Sequence, residues 1–439
     1  MSPQFDKAAL SQYYARLFGV FLTEIDAAVA SLHLQEAPNV ADKIGAWASA
    51  WRNALDGGFD IEGAGLLRYG LLLGQLAEAH SFYSVAEDVL DKLADRAVQR
   101  VPWIPDPTSV LITAGEYNRR RGYLDKGERR YNDAKAILTD DPTRTGLQEQ
   151  AIHKELGRVF YEIAYLHRLR GDAEAARSAL QRSETECDIA RDPVGAEIAR
   201  TELAAISYEE GLEDATISIL MESVSRFNDL ATDLDTEKAG RSTLARRWVI
   251  NAKAHLAQTY IAKGNYEAAK RLIAESEQLN PSITGMATLK RIEAQAHLAQ
   301  GNLALALDVI GASWTAISQQ PRGDLASTEL GAATVAIAGI IHALEESVPS
   351  ALSCFEQACS LPADLHNRRP QAWAWAGRAI LAKRGGDTRT CQAAVQEGLL
   401  LVERCGWPVR RLLLTLLKNV HSNDGPDLND LKNLVCRSG

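Results

Sequence analysis

Proline is scarce in this chain, 14 residues in 439. Proline removes a backbone donor and breaks the interior of helices and sheets, so its scarcity leaves room for long regular elements. Alanine and leucine recur throughout, and their high helix propensity favours helix over strand. A surplus of positive charge is also missing, since the formal net charge is -9. That excludes a general coat for DNA or RNA, whose phosphates call for a basic excess, although a local basic groove stays open. Long apolar runs are absent, and the most prominent, Leu17 to Leu22, is far too short to span a bilayer. The start, Met1 to Lys7, shows no charged region followed by an apolar core and a cleavage site. A cytoplasmic protein that does not enter a membrane is therefore expected.

Reactive constellations are lacking as well. The six cysteines, Cys187, Cys354, Cys359, Cys391, Cys405 and Cys436, form no Cys-x-x-Cys pair. Their scatter along a long chain points to free thiols acting as small apolar residues, not to a disulfide framework. The nine histidines never recur at the three- or four-residue spacing that sets two metal ligands on one helix face. No phosphate-binding glycine loop, zinc-binding His-Glu-x-x-His helix or nucleophile elbow occurs. The carboxylate pairs Asp140-Asp141 and Glu345-Glu346 fall at turns and read as solvated. No catalytic group, metal or cofactor is proposed, and the chain is expected not to be an enzyme.

What is present is periodicity. The length exceeds what one compact core usually holds, so two or three domains or an elongated array must follow. The clearest repeat copy runs from Ala257 through Tyr260, Gly264-Asn265-Tyr266, Ala269 and Ile273 to Ser276 and Pro281. Ala257 and Ala269 let two antiparallel helices approach closely, while Tyr260, Tyr266 and Ile273 fill the space between hairpins. Gly264 suits a left-handed helix cap. Related series surround Gly122, Gly171, Gly211, Gly301, Glu346 and Gly386, each with small residues at similar offsets on both sides. A poorer copy covers Leu67 to Ala94. Together these resemble the tetratricopeptide repeat.

The resemblance implies an all-α, right-handed superhelical solenoid of about seven to eight hairpins, with capping helices at both ends. Successive turns lie 37 (Gly264 to Gly301) to 53 (Gly211 to Gly264) residues apart, against about 34 in the common repeat. Helices or loops longer than usual are expected, and the segment Asp229 to Arg241 extends the longest interval. Residues 1–62 read as an N-terminal helical region, with Phe5, Leu10, Tyr13, Leu17, Phe21 and Ile25 on one amphipathic stripe. It serves as a cap or as an oligomerisation surface. Residues 63–407 form the array, and 408–439 form C-terminal capping helices. His167, His297 and His342 stand where the repeat often has tyrosine, and read as packing residues.

In arrays of this kind the first helix of each hairpin lines a concave groove. By resemblance, that surface includes Glu116, Arg119, Arg120, Arg158, Tyr161, Tyr165, Arg168, Asn251, Gln258, Arg291 and Gln295, with Trp373 and Lys383 beyond them. Arginine pairs with carboxylate or phosphate and tyrosine offers rigid contact area, so a groove for an acidic peptide or anionic ligand is one reading. The other is that these cations complement helix C-termini, where the macrodipole favours positive charge. Arg119, Arg120 and Arg121 span about 200° of helix and cannot all face one groove. The expected function is a scaffold or adaptor that binds another protein or a peptide. The alternative is a ligand-sensing regulatory module that controls an effector on a separate chain.

Overall fold

The computed structural model describes residues 16–17, 19–28, 41–57, 63–79, 83–99, 104, 106–121, 123–233, 239–318, 329–360, 369–402, 409–422 and 425–438. All regular elements among them are helices, arranged as eight antiparallel hairpins. These residues fall into two compact units, one ending at Glu155 and one beginning at Leu156. Of the N-terminal stripe, Leu17 and Phe21 are half-buried and Ile25 is buried, while Phe5, Leu10 and Tyr13 lie outside the described residues.

The first unit holds α1 (Ala41–Gly57), α2 (Gly63–Ala79), α3 (Tyr83–Val98), α4 (Pro107–Arg120) and α5 (Leu124–Asp140). Helices α2 and α3 form the hairpin anticipated around Leu67 to Ala94, α4 and α5 the next, and α1 packs on the first pair. Asp106 starts α4 by accepting a hydrogen bond from the Ser109 amide at 3.1 Å, the expected service of an N-cap carboxylate. Pro107 follows at the first helical position, where no donor is needed. Tyr131 of α5 packs so closely on α4 that a Cβ at Gly115 would lie 2.5 Å from its ring. Arg130 of α5 reaches Asp95 of α3 at 2.7 Å.

The second unit contains α6 (Glu149–Arg170), from Leu156 onward, then α7 (Ala173–Ile189), α8 (Pro193–Glu209) and α9 (Glu213–Asp233). It continues with α10 (Ala239–Ala262), α11 (Tyr266–Glu277), α12 (Ile283–Ala299), α13 (Leu303–Ser318), α14 (Glu329–Leu344) and α15 (Val348–Cys359). The chain ends with α16 (Arg369–Arg384), α17 (Thr388–Val402), α18 (Val409–Asn419) and α19 (Leu428–Ser438). The interval from Gly211 to Gly264 is long because α9 has 21 residues and α10 has 24.

Five hairpins of the second unit share the same turn. Gly171, Gly211, Gly264, Gly301 and Gly386 end first helices at φ between 73° and 80°, a left-handed conformation that costs glycine nothing. Asp172 and Asn265 then cap the second helices α7 and α11 through the Ala175 and Ala268 amides. Serines lock the partners together: Ser183 donates to the Gly157 carbonyl at 2.7 Å, and Ser313 to that of Ala287 at 2.9 Å. Small residues set the spacing. The Phe355 ring of α15 lies between α14 and α16, where a Cβ at Gly339 or Gly377 would come within 2.6 or 2.4 Å of it.

Second helices show one apolar stripe, as amphipathic surface helices do. First helices differ. On α16, Ala372, Trp373, Ala374, Ala376, Gly377, Ala379 and Ile380 are all buried, so apolar residues run around the whole helix. The reason is a third layer: α18 continues the stack on α16 and α17, and α19 turns back to lie against α10, α12, α14 and α16.

Candidate functional site

Four first helices of the second unit present regularly spaced polar residues. On α6 these are Arg158, Tyr161, Tyr165 and Arg168, three or four residues apart and hence on one face. Helix α8 contributes Glu202 and Glu209, α10 contributes His255 and Gln258, and α12 contributes Arg291 and Gln295.

Arg168 joins two helices. Its Nη1 lies 2.6 Å from Glu202 Oε2 and its Nη2 lies 2.8 Å from Glu209 Oε1. Burial disfavours this cation, but Glu209 and Glu202 more than compensate, and its pKa is raised above the usual value. Burial, reinforced by Glu202 and Glu162, pushes the Tyr161 hydroxyl well above the ordinary tyrosine range. His255 is held below its ordinary pKa by burial; Arg168 and Arg291 act in the same sense, while Glu202 and Glu209 oppose them. The band is thus a mixed-charge patch in which Arg168 is matched by Glu202 and Glu209. Arg369, at the start of α16, adds a second cation 3.9 Å from Glu209.

The band leads directly to the last helix. Arg291 Nη1 donates to Gln295 Oε1 at 3.1 Å, and Gln295 Nε2 donates to the Val435 carbonyl at 3.0 Å. The Cys436 thiol donates back to the Gln295 carbonyl at 3.5 Å, and burial pushes that thiol up to about 12. The Tyr208 hydroxyl, at the end of α8, donates to the Arg437 carbonyl. Leu428, Leu431 and Val435 of α19 are fully buried, with Leu434 and Cys436 beside them.

The structure brings together Tyr161, Tyr165, Arg168, Arg291 and Gln295 from the sequence-derived set. Arg158 is exposed one helical turn from Tyr161, and Gln258 is buried on α10. Asn251 is exposed and lines a separate shallow cleft of about 180 Å³ between α10 and the start of α12, with Arg247, Ser282 and Thr288. Glu116 and Arg119 are half-buried on α4 of the first unit, as is Arg121 at its end; Arg120 is on the same helix, and its side chain lies outside the described residues. Three expectations of groove exposure change, and Gln258, at 7% exposed, is the first. Gln295 is 1% exposed because α19 covers it, and Trp373 is 1% exposed within the helix core. Lys383 donates to the Ser422 carbonyl at 2.7 Å, tying α16 to the segment before α19.

Glu202, Glu209, His255 and Tyr208 are absent from the sequence-derived set. The signal was available for the two glutamates, which lie on the first helix ending at Gly211. Cys187, Cys391 and Cys436 are buried and free, Cys354 and Cys359 are half-buried and free, and Cys405 lies outside the described residues. His167, His297 and His342 are half-buried. Among the described residues no three His, Cys, Asp or Glu side chains could share a metal ion, and no helix is long and apolar enough to cross a membrane.

No family model and no curated protein sequence matches the chain. Solved structures do resemble it. The apo form of the quorum sensor NprR from B. thuringiensis matches with a TM-score of 0.51 at 15% identity, covering 83% of this chain and 99% of that one. A Rap protein complexed with competence and sporulation factor also gives 0.51, at 10% identity, covering 89% of this chain and 99% of that one. At such identities the likeness concerns the fold, which is the tetratricopeptide-like helical repeat.

Proposed function

We propose that the chain is a binding protein, an adaptor or sensor without catalytic turnover, that holds a segment of another polypeptide on the face lined by its first helices. The observation that carries this is the polar band from Tyr161 on α6 to Gln295 on α12. It sets tyrosine hydroxyls, carboxylates and guanidinium groups in one row, with the Gln295 amide at the end that α19 covers, a mixture suited to the alternating donors and acceptors of a peptide. The Rap protein of similar fold is complexed with competence and sporulation factor, which agrees with a ligand of peptide scale here. A preference for an acidic segment rests on the exposure of Arg158 on α6.

A second reading, a sensor that controls an effector on a separate chain, is favoured by one observation. The same face carries the chain's own last helix, so a ligand that enters there alters the chain's conformation.

The test is selection of displayed random peptides on the immobilised full chain. Binders are then measured by calorimetry against Tyr165→Ala and Arg158→Glu, with Leu305→Gln on the exposed side of α13 as control. Loss of binding in the first two and retention in the control is expected. Peptides that bind all three alike would remove the proposal, as would failure to select any peptide.

A further inference from the structure

Helix α19 is the only described element that touches four successive first helices, α10, α12, α14 and α16, without belonging to a hairpin. Its apolar side chains, Leu428, Leu431, Leu434 and Val435, follow the spacing of an amphipathic helix laid in a groove. Asn429, Asp430 and Asn433 face solvent on the other side.

The polar contacts separate α19 from a permanent piece of core. Gln295 and Tyr208 donate to main-chain carbonyls of its last turn. Every helix C-terminus leaves four such carbonyls without intrahelical partners, so these two donors recognise a helix end and not the side chains of α19. Its other end is self-sufficient. Asp427 Oδ1 accepts from the Asn429 and Asp430 amides at 2.7 and 3.1 Å, while the Asp430 carboxylate accepts from the Asp427 amide at 2.9 Å. That reciprocal cap leaves with the helix. Underneath, the face keeps polar side chains, Gln295 above all, that water can satisfy once the helix is gone. With 11 residues, α19 is too short to stay helical alone, so leaving the face is an order-to-disorder step.

We propose that this face is a receptor for an amphipathic helix of another protein, bearing aliphatic residues in the α19 pattern, and that α19 is the resident competitor it displaces. This rests on the reading that the first helices bind polypeptide, and adds the form of the ligand and its control. The link from Val420 to Asp427 is short, and short tethers give millimolar effective concentrations. A helix arriving in trans therefore meets strong competition in the intact chain.

The probe is a fluorescein-labelled peptide of residues 425–439, titrated by anisotropy into the full chain and into its Leu431→Asp variant, in which α19 no longer fits. The variant is expected to bind the probe at least tenfold more tightly than the unaltered chain; equal binding, or none to either, overturns the proposal. Should Leu431→Asp fail to fold, amide exchange on the unaltered chain decides. Protection of residues 429–438 at least tenfold below that of α14 and α16 supports an exchangeable helix, and equal protection overturns it. A selected peptide that binds through Tyr165 yet leaves exchange at 429–438 unchanged would keep the broader binding function and remove this inference.

Discussion

Arg168 Nη1 lies 2.6 Å from Glu202 Oε2, a pair that links α6 to α8 with side chains only 21% and 10% exposed. Pairs this sheltered are costly to break from one side, because the orphaned charge stays in a poor solvent. Arg168→Ala should therefore lower stability by about 3 kcal/mol, since both Glu202 and Glu209 lose their counter-charge. Denaturant titration of Arg168→Ala, Glu202→Gln and the double variant checks this. The double variant should lose clearly less than the sum of the singles. A loss below about 1 kcal/mol in Arg168→Ala would show a pair screened like an exposed one.

His255 predicts a pH dependence. Burial is the main cause of its lowered pKa; Arg168 on α6 and Arg291 on α12 add to it, against Glu202 and Glu209 on α8. A histidine that is harder to protonate in the folded state binds fewer protons there than in the unfolded chain. Its contribution is therefore present above the unfolded pKa of about 6.5 and is lost as pH falls below it, down to the lowered folded value. Denaturation midpoints between pH 5 and 7.5 should fall more steeply for the unaltered chain than for His255→Asn. Parallel curves would show that His255 takes no part.

The hairpins were legible in the sequence because their causes are local. Gly264 ends a helix, Asn265 caps the next, and Ala257 and Ala269 set the distance between them. The candidate face was legible in part for the same reason: Tyr161, Tyr165 and Arg168 occupy fixed offsets before Gly171. Their pairing with Glu202 and Glu209 was not, since those two lie 34 and 41 residues from Arg168, and no local pattern connects residues about one repeat apart. The position of α19 was hidden further still, with Val435 lying 140 residues from Gln295. One trace of it was present. The central turns of helices α14 and α16 are apolar around most of their circumference, and helices of that kind are buried against several neighbours.

Packing between hairpins gives a third prediction. A Cβ at Gly377 would lie 2.4 Å from Phe355 Cζ, far inside contact distance, and the ring is fully buried with no room to retreat. Gly377→Ala should cost about 1–3 kcal/mol through overpacking. Phe355→Ala should cost about 3–5 kcal/mol through the cavity it leaves. Combining Gly377→Ala with Phe355→Leu should recover part of the first loss. Additive losses would mean that the strain falls on the backbone and not on the ring.

The turn between α14 and α15 departs from its siblings in one residue. Glu346 has φ 62° where Gly171, Gly211, Gly264, Gly301 and Gly386 take the same place with φ of 73–80°. A side chain in the left-handed region costs about 1–2 kcal/mol, and Glu346 is exposed, so no buried contact of its side chain offsets that strain. Replacing it by glycine relieves the strain but adds about 0.4–1 kcal/mol of unfolded-state entropy. Glu346→Gly should then stabilise the chain by about 0.5–1 kcal/mol, visible as a higher denaturation midpoint. Gly301→Ala provides the converse, placing a Cβ at φ 80°, and should destabilise by about 1 kcal/mol or more. A Glu346→Gly variant no more stable than its parent would mean that the turn is held by its neighbours, where Ser347 donates its amide to the His342 carbonyl at 2.9 Å, and not limited by its own backbone.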